Sequence, residues 1–157
     1  MAGTRIRDDN LGAWLIKCQP KANPDLPRAI RAGNPPPVTR WCVADNYRSR
    51  MMAPGDRALL WVSGDGRQLA RGIWGVGRVT GRVRRMVDDH GVELDKLEVP
   101  LHLRLLSSGV QAETIRAAGC TDLEVFAVPQ GSNPSWVSTE QLAVLGGLLG
   151  EWPTDLP

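Results

Sequence analysis

Two apolar runs divided by a polar, glycine-rich reversal dominate the middle of the chain. After the turn signal Pro54-Gly55-Asp56, residues Ala58-Leu59-Leu60-Trp61-Val62 form a nearly continuous apolar stretch, the pattern of a strand buried on both faces. Gly64-Asp65-Gly66-Arg67-Gln68 supplies the reversal, and a second strand runs from Arg71 to Thr80 with Ile73, Trp74, Val76 and Val79. Gly72, Gly75 and Gly77 interrupt that return strand; glycine there marks a bend, a bulge or close approach by a backbone or ligand. Beside Trp61 and Trp74 they point to a small, tightly curved barrel with room for something flat.

The flanking pattern fills in the rest. Leu11–Cys18 and Val38–Val43 read as strands, joined through a short helix over Asp25–Ala32 with Asp25 as N-cap and Gly33 as stop, then a rigid connector Asn34-Pro35-Pro36-Pro37. Ala44–Arg50 reads as loop and basic turn, and Val83–Glu93 as a polar loop. From Leu94 to Leu106 apolar positions alternate with polar ones, which predicts a half-buried strand with Pro100 favouring a sheet edge. Val110–Ala118 reads as a helix closed by Gly119, Leu123–Pro129 as a short extended piece, and Gln130–Trp136 as a turn-rich loop. Ser138 and Gln141 form a capping box that opens a helix through Leu142, Leu145 and Leu149; Gly150–Pro157 reads as a frayed end. The expected fold is a single α+β domain over residues 1–157, ordered from about 10 to 149 with flexible termini. It is a curved pseudo-barrel of five to six strands with flanking short helices.

Composition narrows the class. No stretch approaches the roughly 20 apolar residues of a membrane span, and Met1-Ala2-Gly3-Thr4-Arg5 lacks an apolar signal core. Cys18, Cys42 and Cys120 are odd in number and widely spaced, which disfavours a disulfide framework or zinc site and fits a reducing cytoplasm. The overall charge of +2 conceals an asymmetry: residues 28–85 carry 12 Arg against Asp45, Asp56 and Asp65, a net +9, whereas residues 86–157 net −8. Arginine suits bidentate contact with phosphate, and a basic half with aromatic side chains is the footprint of a nucleic-acid binder. A composition rich in Ala, Gly, Pro and Arg, with the charges on solvated faces, is the alternative.

Catalytic constellations are missing from the sequence pattern. His90 and His102 stand far from any nucleophile elbow, and Thr80 occupies the place where a dinucleotide fingerprint needs its third glycine. Asp88-Asp89-His90 reads as a solvated hairpin tip. No cofactor and no metal are expected. The tryptophans stand out instead: six Trp against one Phe and one Tyr. Indole faces stack on nucleobases, although any one of them also serves as core filling.

These residues resemble a family. Trp14-Leu15-Ile16-Lys17-Cys18, Trp41-Cys42 followed by Asn46, Pro54-Gly55-Asp56-Arg57 leading into Leu59–Ser63, Gly72–Gly77, and Gln130-Gly131-Ser132-Asn133-Pro134 recur in the order seen in EVE domains. Those domains are PUA-like modules related to the YTH readers of methylated adenine, and the match runs from about Trp14 to Leu145. The resemblance implies a non-catalytic module that takes a flipped-out modified base of DNA or RNA between aromatic walls; a monomer is expected. It implies Trp41 as one wall, the Cys42 backbone at the exocyclic amine, and Lys17, Cys18, Asn23 and Asn46 around the base, with Ser132 and Asn133 from the late loop. After Val79 the chain departs from the YTH pattern, having Arg82-Val83-Arg84-Arg85 in place of further cage tryptophans. The second wall then falls to Trp61, Trp74 or Trp136, and Arg48, Arg50, Arg82, Arg84 and Arg85 are the phosphate contacts. Two other classes stay open: an enzyme acting on a nucleotide or small ligand with Lys17 or Cys18 as the reactive group, and a protein-interaction module using the acidic C-terminal half.

Overall fold

Alternation of apolar and polar positions builds most of the chain into one sheet. A computed structural model describes residues 4–153. In chain order the elements are β1 (Leu11–Cys18), α1 (Asp25–Ala32), β2 (Val38–Val43), α2 (Tyr47–Met51), β3 (Arg57–Val62), β4 (Gly72–Val79), β5 (Arg84–Val87), β6 (Glu93–Gln111), α3 (Ala112–Ala117), α4 (Glu124–Ala127), β7 (Ser135–Ser138) and α5 (Thr139–Leu149). The strands lie in the order β2-β6-β4-β3-β1-β7, with β5 pairing beside them on β6. Only β1 and β3 run parallel; the other pairs are antiparallel. The fold is therefore mixed α/β, a curved sheet with short flanking helices as expected, but open and of seven strands where the pattern predicts a pseudo-barrel of five to six.

Period-two alternation sorts side chains to two cores. Trp14, Ile16, Leu60, Leu101 and Leu103 face one side; Leu15, Leu59, Trp61, Ile73 and Val76 face the other. The first cluster also takes Trp136 from β7 and Val43 from β2, the two ends of the sheet order, so the sheet curls around it. The second is covered by Ile115, Val125 and Leu145 of α3, α4 and α5. Ile30 of α1 packs with Val62 and Leu69 in a third cluster. The Pro-Gly-Asp turn also anchors the first core, since the buried indole of Trp14 donates to Asp56 Oδ2 at 2.9 Å.

Several expectations from the pattern change. β6 is 19 residues long and internal, not an edge. Pro100 sits where β5 pairing has ended at Glu98 and β4 pairing begins at Leu101, so the N–H it lacks falls in a gap; its carbonyl accepts from Thr80 at 3.0 Å. The polar loop contains β5, the basic turn is the helix α2, the extended piece is α4, and Trp136 lies on β7 rather than in a loop. The N-cap of α1 is Pro24, with Asp25 in the first turn. The chain is also engaged beyond residues 10–149: Ile6 is buried and Trp152 Nε1 donates to Gly77 O at 3.0 Å. The remainder of the frayed-end expectation lies outside the described residues.

Gly72 and Gly77 of β4 admit the β6 backbone, and Gly75 faces Leu60 of β3. A Cβ on Gly77 would lie 1.7 Å from His102 O, and one on Gly72 would lie 2.0 Å from Val110 O. Both atoms belong to backbone that cannot yield. Gly77→Ala is accordingly expected to lower the unfolding free energy by about 3 kcal/mol, read as a fall in the urea midpoint at unchanged slope.

Candidate functional site

A groove that brings together three of the sequence-predicted residues lies at β2, β5 and β6. It has a volume of about 380 Å3 and is lined by Asn23, Arg40, Trp41, Cys42, Met86 and Glu98. Pairing across the sheet assembles it: Cys42 lies opposite Glu98, and Glu98 opposite Arg84. Trp41, half-buried, rests on the core cluster inside the curl. Cys42 is exposed, its Sγ 3.4 Å from Met86 Sδ, so soft, polarizable atoms line the groove. Glu98 is only 4% exposed. Its Oε2 accepts from Arg84 Nε at 3.0 Å and Nη2 at 2.9 Å, while Oε1 lies 3.9 Å from Arg40 Nη1. Asn23 hangs over from the loop after β1, its amide donating to Gln19 O at 3.1 Å. The arrangement offers one aromatic face, apolar sulfur and a buried carboxylate held by cations.

A second constellation holds the end of β1 and is structural. Asn133 accepts from Lys17 N–H at 2.8 Å, donates to Lys17 O at 3.0 Å, and through its own carbonyl accepts from Ala44 N–H at 2.8 Å. Lys17 Nζ donates to Gly131 O; burial lowers its pKa, with Arg48 adding to the effect and Glu124 opposing it. Arg48 clamps Glu124 with two hydrogen bonds of 2.7 Å and donates to Pro134 O at 3.2 Å. Ser135 Oγ donates to the same carboxylate at 2.8 Å. Burial pushes the Glu124 carboxyl up, but the hydrogen bonds from Arg48 and Ser135 and the charges of Arg48 and Lys17 bring it below its ordinary value.

Of the eleven residues expected around the base, then, only Asn23, Trp41 and Cys42 line this groove. Lys17 and Asn133 are engaged with each other, Lys17 also with Gly131 O and Asn133 with Ala44 N–H. Asn46 caps α2, accepting from Arg48 and Ser49 N–H. Cys18 is buried, and burial pushes its thiol up to about 12. The other tryptophans are dispersed. Trp61 faces the helix-covered side, edge-on to Phe126 at 5.6 Å. Trp74 packs beside the third cluster, its indole donating to Ala70 O at 2.7 Å. Trp136 is buried inside the curl. None of the three supplies a second wall beside Trp41. Ser132 is exposed in the loop before β7 and does not line the groove.

The expected phosphate contacts divide as well. Arg48 is half-buried in its clamp, and Arg84 is bound to Glu98. Arg50 and Arg85 form exposed pairs with Asp45 and Asp95, which are weak and exchangeable. Arg82 is exposed and donates to Met52 O at 3.5 Å. Arg40, Met86 and Glu98 escaped the sequence reading. Met86 lay in an unrecognised strand, and Glu98 sat at a polar position whose alternation predicts solvent rather than burial. The three cysteines are free thiols, no group of three His, Cys, Asp or Glu suited to a metal occurs among the described residues, and no described helix is long and apolar enough to cross a membrane.

Fold and groove together define a mixed α/β domain with a shallow, single-tryptophan groove on a curled sheet. Neither a protein-family model nor a characterised protein matches the chain. In three dimensions it is similar to Rpa0253 from Rhodopseudomonas palustris, a structural genomics target solved by NMR. The TM-score is 0.57 at 21% identity, over 90% of this chain and 97% of that one. That likeness concerns the fold.

Two measurements probe the structural constellation. Asn133→Ala strands the Lys17 N–H and carbonyl and is expected to cost roughly 2 kcal/mol of stability, visible in urea unfolding. Because the folded-state value of Glu124 is depressed, its stabilisation is present above the ordinary carboxyl value of 4.5 and is lost as pH falls through the folded value. Stability is therefore expected to drop with acidification in that window, and less steeply in Glu124→Gln, when both are unfolded in urea across an acid pH series.

Proposed function

We propose that this chain is a non-catalytic nucleic-acid-binding module, a PUA-like relative of the EVE domains, whose groove beside Trp41 receives a modified, methylated base. The observation that carries the reading is the half-buried Trp41 ring at a groove that also holds apolar sulfur, a carboxamide and a buried carboxylate. An indole face stacks a base for about 1–3 kcal/mol. Extruding that base costs a few kcal/mol, least from a single strand. A methyl group set against Met86 and Cys42 adds about 1 kcal/mol by burial, while Asn23 and Glu98 offer hydrogen-bonding groups to the base edge.

With one tryptophan rather than a cage of them, discrimination rests on the sulfur-lined part of the groove and on the polar edge. Flanking phosphates would be met by Arg82, and by Arg50 and Arg85 on exchanging their exposed carboxylate partners, giving affinity that falls with salt. A nucleophilic role for Cys18 is opposed by its burial and by a thiol held at about 12, which leaves almost no thiolate at neutral pH. Lys17 is likewise engaged with Gly131 O.

The test is a fluorescence titration of oligonucleotides, DNA and RNA, each carrying one modified base, against their unmodified twins. The modified strand of one pair is expected to bind more tightly, and Trp41→Ala to weaken it about tenfold or more and erase the difference. Equal affinity across every pair, or binding indifferent to Trp41→Ala, would sink the reading.

A further inference from the structure

A different groove opens where the parallel strands end. Gln19 follows β1, Ser63 and Gly64 follow β3, and the crevice beyond carboxyl ends of parallel strands is a recurrent ligand position. This groove has a volume of about 340 Å3; Gln19, Trp61, Arg71, Arg116, Phe126 and Gln130 are among its lining residues, and it shares none with the groove beside Trp41.

Its two arginines are brought together by the backbone. Ala112 N–H, at the start of α3, donates to Arg71 O at 2.8 Å, so the residue before β4 is tied to the helix that carries Arg116. The Arg116 guanidinium lies 4.1 Å over the Phe126 ring, and Phe126 is itself braced edge-on by Trp61 at 5.6 Å. A guanidinium stacked by its face keeps its in-plane donors available. Among the described residues neither Arg71 nor Arg116 has a carboxylate within ion-pair distance, whereas Arg40, Arg48, Arg50, Arg84 and Arg85 all do. Two cations line one groove, one of them pre-oriented on an aromatic ring, with no anion of the protein's own.

The geometry points to a binding site for a phosphate monoester, clamped by Arg71 and Arg116 with the carboxamides of Gln19 and Gln130 alongside. A monoester carries close to two negative charges at neutral pH, which matches two guanidinium groups, and each pairs with phosphate through short, charge-assisted hydrogen bonds. The same chemistry comes from two sources: a free nucleoside 5′-monophosphate, or the 5′-phosphorylated end of a strand. The site is independent of the base groove.

Calorimetry with adenosine 5′-monophosphate, adenosine, and one oligonucleotide with and without its 5′-phosphate tests the assignment. Phosphorylated probes are expected to bind and their unphosphorylated twins to lose at least about tenfold. Arg71→Gln, at an exposed side chain, and Arg116→Gln should each weaken binding about tenfold, and Arg116→Lys should weaken it less. Tighter binding of the mononucleotide assigns the free nucleotide; tighter binding of the phosphorylated strand assigns the strand end. If no phosphorylated probe binds, if the twins bind alike, or if Arg71→Gln and Arg116→Gln both retain full affinity, the site does not exist, and the reading of the Trp41 groove is untouched.

Discussion

Asn133 holds the curled sheet together. The strand order leaves β2 and β7 at opposite ends, and an open sheet has no ladder to join them. One asparagine does so instead. Its carboxamide takes the N–H and the carbonyl of Lys17, and its own carbonyl takes the N–H of Ala44 just past β2. Each of these backbone groups is a donor or acceptor that would be costly to leave unpaired inside the protein. The Arg48–Glu124–Ser135 network stands directly behind it, locking α2 and α4 to the start of β7.

That hub explains why polar residues singled out by the motifs do not line the groove beside Trp41. Lys17, Asn46, Arg48 and Asn133 are polar residues near strand ends, the usual address of a binding site, yet each has its hydrogen-bonding capacity directed to the chain itself. What remains open lies to either side. One groove sits on β2, β5 and β6 beside Trp41; the other sits beyond β1 and β3 beside Arg71 and Arg116.

Charge follows the same division. Four of the twelve arginines in residues 28–85 are met by carboxylates from the acidic second half: Arg48 by Glu124, Arg40 and Arg84 by Glu98, Arg85 by Asp95. The asymmetry along the sequence is thus partly cancelled in space, because β5 and β6 are antiparallel neighbours. An exposed pair such as Arg85–Asp95 contributes little to stability, whereas the half-buried Arg48–Glu124 clamp ties α2 to α4.

Local rules were enough to locate several elements from the residues alone. The apolar run of β3 and the glycine-marked return of β4 are legible because strand burial and turn chemistry act on neighbouring residues. The same holds for the alternation of β6, the glycine stop of α1, and the Ser138–Gln141 cap of α5. Elements of four or five residues, β5, α2, α4 and β7, leave too short a pattern for periodicity to register; partners elsewhere in the chain make them. The faces were likewise beyond local reach. Alternation separates Leu60 from Trp61 but does not say that Trp61 meets Phe126 under the helices while Trp41 stays half-buried against the core inside the curl. Nor does a polar position on a strand announce that Glu98 is covered by two arginines, or that Gly72 and Gly77 of β4 let the β6 backbone approach. Those outcomes belong to packing between distant segments, where backbone approach and pairing decide which side chain sees solvent.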